Sequence, residues 1–274
     1  MTDKASIKAV QAALTQVGLL DPPADGVWGP VSQWALDEFC LRASLRRLEP
    51  LDPALKAALD AGAESSPFPL RPGTNLAGHI VAAMLKAGCF VCRHPDCINI
   101  VYIEGADPDG TPNGNTPNQF NDARTVVRVD GKGVPVLAGS WEATTEPGQI
   151  YTTVRPNPGG AARIALGQQK AWTVGLHHGT DALVQRLPIT VYRDRNEDFS
   201  RKGDPVDHGL FGINQHAGYN YPRDDIRDAS AGCLVGRLAV GHAAFMALVH
   251  SDQRYRMGNG YVFMTTVLEV AALA

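Results

Sequence analysis

Apolar residues recur at helical spacing through residues 5–60 and in short alternating runs from residue 97 onward, and this change of period divides the chain. In the first stretch Val10, Leu14 and Leu19 mark an amphipathic helix that Gly18 closes as a C-cap. Asp25-Gly26-Val27-Trp28-Gly29-Pro30 reads as a tight turn. Ser32 is expected to cap a second helix carrying Trp34, Ala35, Leu36 and Phe39, and a third helix is expected within 53–61. Residues 62–74 lie in a run rich in Pro, Gly and Ser and read as a linker. Leu76, Ile80, Val81, Met84 and Leu85 predict a helix over 75–87, packed on the domain that follows. Strands are then predicted at 98–103, 125–129, 134–137, 150–154, 161–166, 171–176, 182–185 and 189–192. A helix over 241–251 and a last strand over 261–268 complete the series. The loop 105–122, full of Asp, Asn, Gly and Pro, is long enough to wall a groove. These patterns predict an α+β protein: a three-helix domain over 1–61, a linker over 62–74, and a mostly β sandwich or barrel over 75–274.

Charge narrows the partners. The 274 residues carry a formal net charge of −3 with no long Lys/Arg block, which argues against nucleic acid and against an anionic membrane surface. No apolar run is long enough to span a bilayer. The chain enters its first helix without an apolar leader, so synthesis in the cytoplasm without a secretory signal is expected. A monomer is expected. The five cysteines, an odd number, do not suggest a disulfide framework. Cys89, Cys92, His94 and Cys97 lie close enough for a zinc knot, though tighter than usual structural sites. A Cys89–Cys92 or Cys92–Cys97 disulfide, or plain buried thiols, are the alternatives. Asp194, Asn196 and Asp198 have the spacing of a calcium loop but lack its glycine and terminal glutamate, and a charged turn is the plainer reading.

The chemistry-bearing segment is Gly212-Ile213-Asn214-Gln215-His216-Ala217-Gly218 with Ala229-Ser230-Ala231-Gly232-Cys233-Leu234. A cysteine nucleophile needs a base for its proton and N–H groups aimed at the oxyanion. His216 is the candidate base for Cys233, because imidazole exchanges protons near neutral pH. Gly232 allows the tight turn that would present thiol and amides together, and Ser230 reads as a turn-former bonded to local backbone. A thiol needs less activation than a hydroxyl, so a backbone carbonyl suffices to fix the imidazole tautomer. A buried structural thiol is the competing reading of Cys233. His177 and His178 form a second cluster whose side chains should point to opposite faces of a strand. One of them, His178, is placed with the substrate groove.

This segment resembles the active-site signature of the L,D-transpeptidases, cysteine enzymes of bacterial peptidoglycan. His216 matches the base, and Ser230, Gly232 and Cys233 match the Ser-His-Gly-Cys turn. Ala231 departs from the pattern, standing where the family has a second histidine. Arg237 follows where an Ile/Leu-Arg or Leu-Asn pair is usual and is placed with the substrate. The run 143–151, ending in Tyr151, resembles the family's Thr-Pro-x-Gly-x-Phe/Tyr turn between two strands. Residues 5–60 resemble the three-helix peptidoglycan-binding module, with Trp28 in place of its usual Phe; Trp28 and Trp34 are its candidate ligand contacts. The resemblances imply a wall-directed enzyme that acts on stem peptides through a thioacyl intermediate and needs no cofactor. Without a leader, it would reach the wall after release or injection, as an endolysin-like hydrolase does. A cross-linking transpeptidase, a non-catalytic wall-binding or virion protein, and an injected wall-degrading toxin are the alternatives.

Overall fold

A computed structural model describes residues 3–46, 48–50, 52–60, 66–154, 157–258 and 260–274. Residues 61–65, the last residue of the expected helical domain and the start of the expected linker, lie outside the described residues. The chain forms two compact units: Met1–Ile98 with Arg128–Val136 and Ser251–Asn259, and Asn99–Val127 with Leu137–His250 and Gly260–Ala274.

In the first unit α1 (Lys4–Gln16), α2 (Pro30–Arg42) and α3 (Pro53–Asp60) appear where the apolar periodicity places them. Gly18, at φ +83°, ends α1 as expected. The start of α2 differs from expectation. Pro30 takes the first helical position behind Gly29, and Ser32 makes no cap bond. Ser32 is buried instead and accepts a 3.3 Å hydrogen bond from Gln11. Gln11 also bonds Asp25 and the backbone of Gly26 and Val27, so one buried amide pins the Asp25–Gly26 turn. α4 (Leu76–Lys86) belongs to this unit, capped by Asn75, whose side chain accepts from Gly78 N at 2.8 Å. A short α7 (Gln253–Met257) joins it through a buried guanidinium: Arg254 bonds Asp21 at 2.8 Å, Asp252 at 2.7 Å and the Ile98 carbonyl at 2.7 Å.

The second unit is built on a closed eight-stranded barrel in the order β1-β11-β5-β6-β9-β10-β3-β2. Its strands are β1 (Asn99–Glu104), β2 (Asp122–Val129), β3 (Pro135–Thr144), β5 (Gly167–His177), β6 (Thr180–Gln185), β9 (Gln215–Ala217), β10 (Leu234–Gly236) and β11 (Phe263–Glu269). β4 (Ala161–Ile164), β7 (Ile189–Asp194) and β8 (Val206–Gly209) form a separate three-stranded sheet. α6 (Ala239–Ser251) follows β10. The protein is therefore α+β, as the patterning predicts.

One predicted strand is a helix. Residues 150–154, read as a strand from their β-branched and aromatic side chains, form α5 (Gln149–Thr153). One distant and one local bond override that propensity: Asn118 accepts from Gln149 N at 2.9 Å, and the Thr153 hydroxyl donates to the Gln149 carbonyl at 3.1 Å. The stretch 143–151 is thus a strand end, a turn and a helical turn, not a turn between two strands. β8, β9 and β10, of three or four residues each, have too little pattern to be read from sequence.

Candidate functional site

β9 and β10 run parallel, with Leu234 opposite Gln215 and Val235 opposite His216. Cys233 therefore stands at the mouth of this strand pair beside Asn214, and His216 lies two residues further along the same face as Asn214. The Asn214 N–H points at the Cys233 sulfur at 3.4 Å, and the thiol donates to the Gly212 carbonyl at 3.7 Å. Among the described residues Cys233 and His216 share no hydrogen bond.

The turn before Cys233 is made by Ser230 and Gly232. Ser230 Oγ donates to the Cys233 carbonyl at 2.8 Å and accepts from Gly232 N at 3.1 Å, the turn-forming role expected of it. Gly232 sits at φ +123°, and a Cβ there would lie 2.6 Å from the Ala162 carbonyl oxygen. Gly148 donates its N–H to the Ser230 carbonyl at 2.8 Å, so the 144–148 turn and the Cys233 turn are bonded together.

His216 is buried and donates from Nδ1 to the carbonyl of its neighbour Ala217 at 2.8 Å. That bond leaves the lone pair on Nε2, the atom a general base needs. Burial first, and then the neighbouring His177, His242 and Arg124, hold its pKa down to about 4 despite the Ala217 bond. Burial pushes the Cys233 thiol up to about 11, against the lowering effect of the Asn214 N–H. Cys233 as a residue is half-buried, and its thiol is densely surrounded by protein. The resting pair is therefore a neutral thiol and a neutral imidazole.

Sequence reasoning missed Asn214, Gln185 and the true place of His177. Gln185 Oε1 accepts from Phe211 N and Ile213 N, both at 3.0 Å, and so shapes the approach to β9. His177 stacks on His216 with ring centroids 4.2 Å apart and 28° between planes. His178, the residue placed with the substrate from sequence, occupies the two-residue β5–β6 turn with Gly179, at φ +49° and +79°. This is the positive-φ pair of a tight hairpin, a signal that His-Gly between two apolar runs already carries. Its ring meets His177 edge-on at 4.2 Å.

The remaining candidates are dispersed. Arg237 is engaged by Glu142 at 2.6 Å and by the Tyr221 carbonyl at 3.2 Å. Tyr151 lies on α5, with its hydroxyl 3.5 Å from the Asp228 carbonyl. In the first unit Trp34 is 6% exposed and packs edge-on against His94 at 5.0 Å, whereas Trp28 is half-buried and donates to Gln33 at 2.9 Å. All five cysteines are free thiols. Cys92 and Cys97 are buried and hydrogen-bonded to each other, and both ring nitrogens of His94 are engaged, by Glu38 and by Asp96 N. Asp194 accepts from the backbone of Asp198 and Phe199, and Asn196 bonds Asp198 at 2.7 Å, forming a turn after β7. Among the described residues no group of three or more His, Cys, Asp or Glu side chains is placed to hold a metal ion.

A buried charge cluster adjoins the 144–148 turn. Glu104 is paired bidentately with Arg201, and Glu146 with Arg163. The Thr145 hydroxyl lies 2.8 Å from both Glu104 and Asp122. One hydroxyl proton serves one acceptor, so the second contact requires a proton on a carboxyl. Burial first, then Glu104 and Glu146, push Asp122 up to about 8, which makes it the protonated partner. A raised carboxyl pKa contributes stability that is full below the unfolded value and is lost as pH rises through the folded one. Asp122 therefore contributes a fall in the urea unfolding midpoint between pH 5 and pH 8, joined by Glu146, which burial pushes up to about 7, and opposed in the lower part of that window by His216 and His242, which burial lowers to about 4. Asp122→Asn, which cannot ionise, should lose Asp122's share of that fall, so that its midpoint drops less from pH 5 to pH 8 than that of wild type, whatever its absolute stability; an unchanged slope would place the titrating group elsewhere.

No family model matches the chain, and no curated protein matches it. A solved structure that resembles it slightly is a fused Zn-dependent amidase/peptidase/peptidoglycan-binding domain-containing protein from Clostridium acetobutylicum ATCC 824. The identity is 12% and the TM-score 0.29 over 96% of this chain and 95% of that one, a likeness too slight to carry fold or function. No described helix is long and apolar enough to cross a membrane.

Proposed function

We propose that the chain is a peptidoglycan-directed cysteine enzyme whose barrel transfers stem-peptide acyl groups and whose N-terminal helices hold the wall. The observation that carries this reading is that Cys233 immediately precedes β10 while His216 lies on its parallel neighbour β9, with the imidazole tautomer set by a backbone carbonyl. The resemblance of the Ser230–Cys233 turn to the L,D-transpeptidase signature, and of residues 5–60 to a peptidoglycan-binding module, supplies the substrate class. In the mechanism His216 Nε2 takes the Cys233 proton as sulfur attacks a peptide carbonyl. The amine then leaves with that proton, and a thioester remains on Cys233. Water or a second stem amine resolves it. Hydrolysis in the manner of an endolysin is the favoured outcome, cross-linking the alternative.

A non-catalytic wall-binding protein is the second reading. It is favoured by the thiol proton resting on Gly212 rather than on His216. Purified peptidoglycan incubated with wild type and with Cys233→Ala, then analysed by mass spectrometry, separates these. New soluble muropeptides from wild type alone support the hydrolase. New crosslinks or exchanged amines move the reading to transpeptidase. Unchanged muropeptides with retained sedimentation on the wall would leave only the binding protein.

A further inference from the structure

An oxyanion formed at Cys233 needs donors roughly 3 Å from the developing charge. The sequence points to the amides of Gly232 and Cys233. The Gly232 N–H, however, is already given to Ser230 Oγ at 3.1 Å, and the Asn214 N–H points at the sulfur. The Cys233 N–H has no partner among the described residues, which leaves one backbone donor in the turn. A second must come from elsewhere.

His177, bonded to Asn214 and stacked on His216, carries a side-chain donor that can be considered for it. Asn214 Oδ1 accepts from the Gln185 backbone N–H at 2.9 Å, a group that can only donate. This settles which end of the Asn214 amide is oxygen. Its Nδ2 therefore donates to His177 Nδ1, 3.0 Å away. With Nδ1 accepting, a neutral His177 carries its proton on Nε2, and that N–H has no partner among the described residues. The half-buried ring is stacked on His216, and the same Asn214 that fixes its tautomer touches the Cys233 sulfur. Burial and the neighbouring His178 lower the His177 pKa, which favours the neutral ring.

We propose that His177 is a catalytic hydrogen-bond donor of the Cys233 site, offering Nε2–H to the carbonyl oxygen of the acyl group under attack, with Asn214 as the positioning residue that holds its tautomer. The inference rests on Cys233 being an acyl-accepting nucleophile, as proposed above. His177 transfers no proton. The sulfur–carbon bond forms, the carbonyl electron pair moves to oxygen, and His177 and the Cys233 amide share that charge until the leaving group departs.

Two reactions of the full chain test it, with Cys233→Ala as the background for the other thiols. Acylation by p-nitrophenyl acetate develops an oxyanion; alkylation by iodoacetamide does not. His177→Phe keeps a ring on His216 without the donor. It is expected to alkylate within about twofold of wild type but to acylate about 100–1,000-fold more slowly, the range for losing an oxyanion donor. His177→Gln, with an amide N–H near the same place, should recover part of the loss. Unchanged acylation would overturn the proposal, as would acylation and alkylation falling together, since His177 would then act only by holding the site. The imidazole ¹⁵N spectrum of wild type is a second test, independent of any variant's folding: an Nδ1-protonated His177 would overturn the assignment. Wild type that shows the predicted ratio yet leaves peptidoglycan untouched would sink the wall-enzyme reading and leave the donor standing.

Discussion

Alkylation of Cys233 by iodoacetamide is expected to accelerate about tenfold per pH unit from pH 6 to pH 10, because only the thiolate reacts and its fraction rises tenfold per unit below the pKa. Burial holds that pKa up to about 11, and among the described residues no charged group lowers it. His216, held near 4 by its own burial, stays neutral over the whole range and offers no positive charge to the sulfur. The rate at pH 9 should therefore exceed that at pH 7 by about 100-fold. A Cys–His ion pair would behave differently, with a fast plateau from mildly acidic pH upward. Such a plateau would mean that the sulfur and imidazole exchange a proton at rest, and that Gly212 is not the thiol's partner. If the slope is as expected, the thiol is activated only as a carbonyl substrate arrives, with His216 acting as general base in the attack itself.

Gly232→Ala is expected to cost about 2–4 kcal/mol of folding stability and at least about 100-fold in any Cys233-dependent rate. Two causes act together. The backbone at φ +123° is one that L side chains rarely adopt, and the added methyl would lie 2.6 Å from a backbone oxygen of β4. The Ala162 carbonyl belongs to a paired strand and cannot swing away as a flexible side chain would. Relief requires the turn to move, and with it the Ser230 bond and the sulfur. Urea unfolding measures the first cost and acylation by p-nitrophenyl acetate the second. A variant as stable and as reactive as wild type would show that the turn has room to shift.

Much of the local geometry of the candidate site was legible in the sequence because its signals are local. The glycine before Cys233 announces a turn that no other residue fits, and Ser230 caps that turn with its own hydroxyl. His216 is found by its chemistry, and the carbonyl that fixes its tautomer is that of the next residue. What was missed depends on pairing between distant strands. His177 reaches His216 only because the β5–β6 hairpin and β9 are neighbours in the barrel, a fact that no periodicity encodes. Asn214 lies on the same face as His216, two residues away, but its importance comes from Gln185 and His177, which are remote in sequence. Donor supply was misjudged for a similar reason: the Gly232 amide looks free until Ser230 Oγ is seen to hold it. The helix at Gln149–Thr153 was misread because a side chain from the 105–122 loop caps it.

The account stands on Cys233 accepting an acyl group. The most direct measurement is the intact mass of the protein, acid-quenched during incubation with a stem tetrapeptide and then mapped by peptide digestion. The account predicts an acyl adduct on Cys233 in wild type, trapped as a thioester cleaved by hydroxylamine, and none in Cys233→Ala. Processing of the tetrapeptide that persists in Cys233→Ala, with no adduct in wild type, would contradict it.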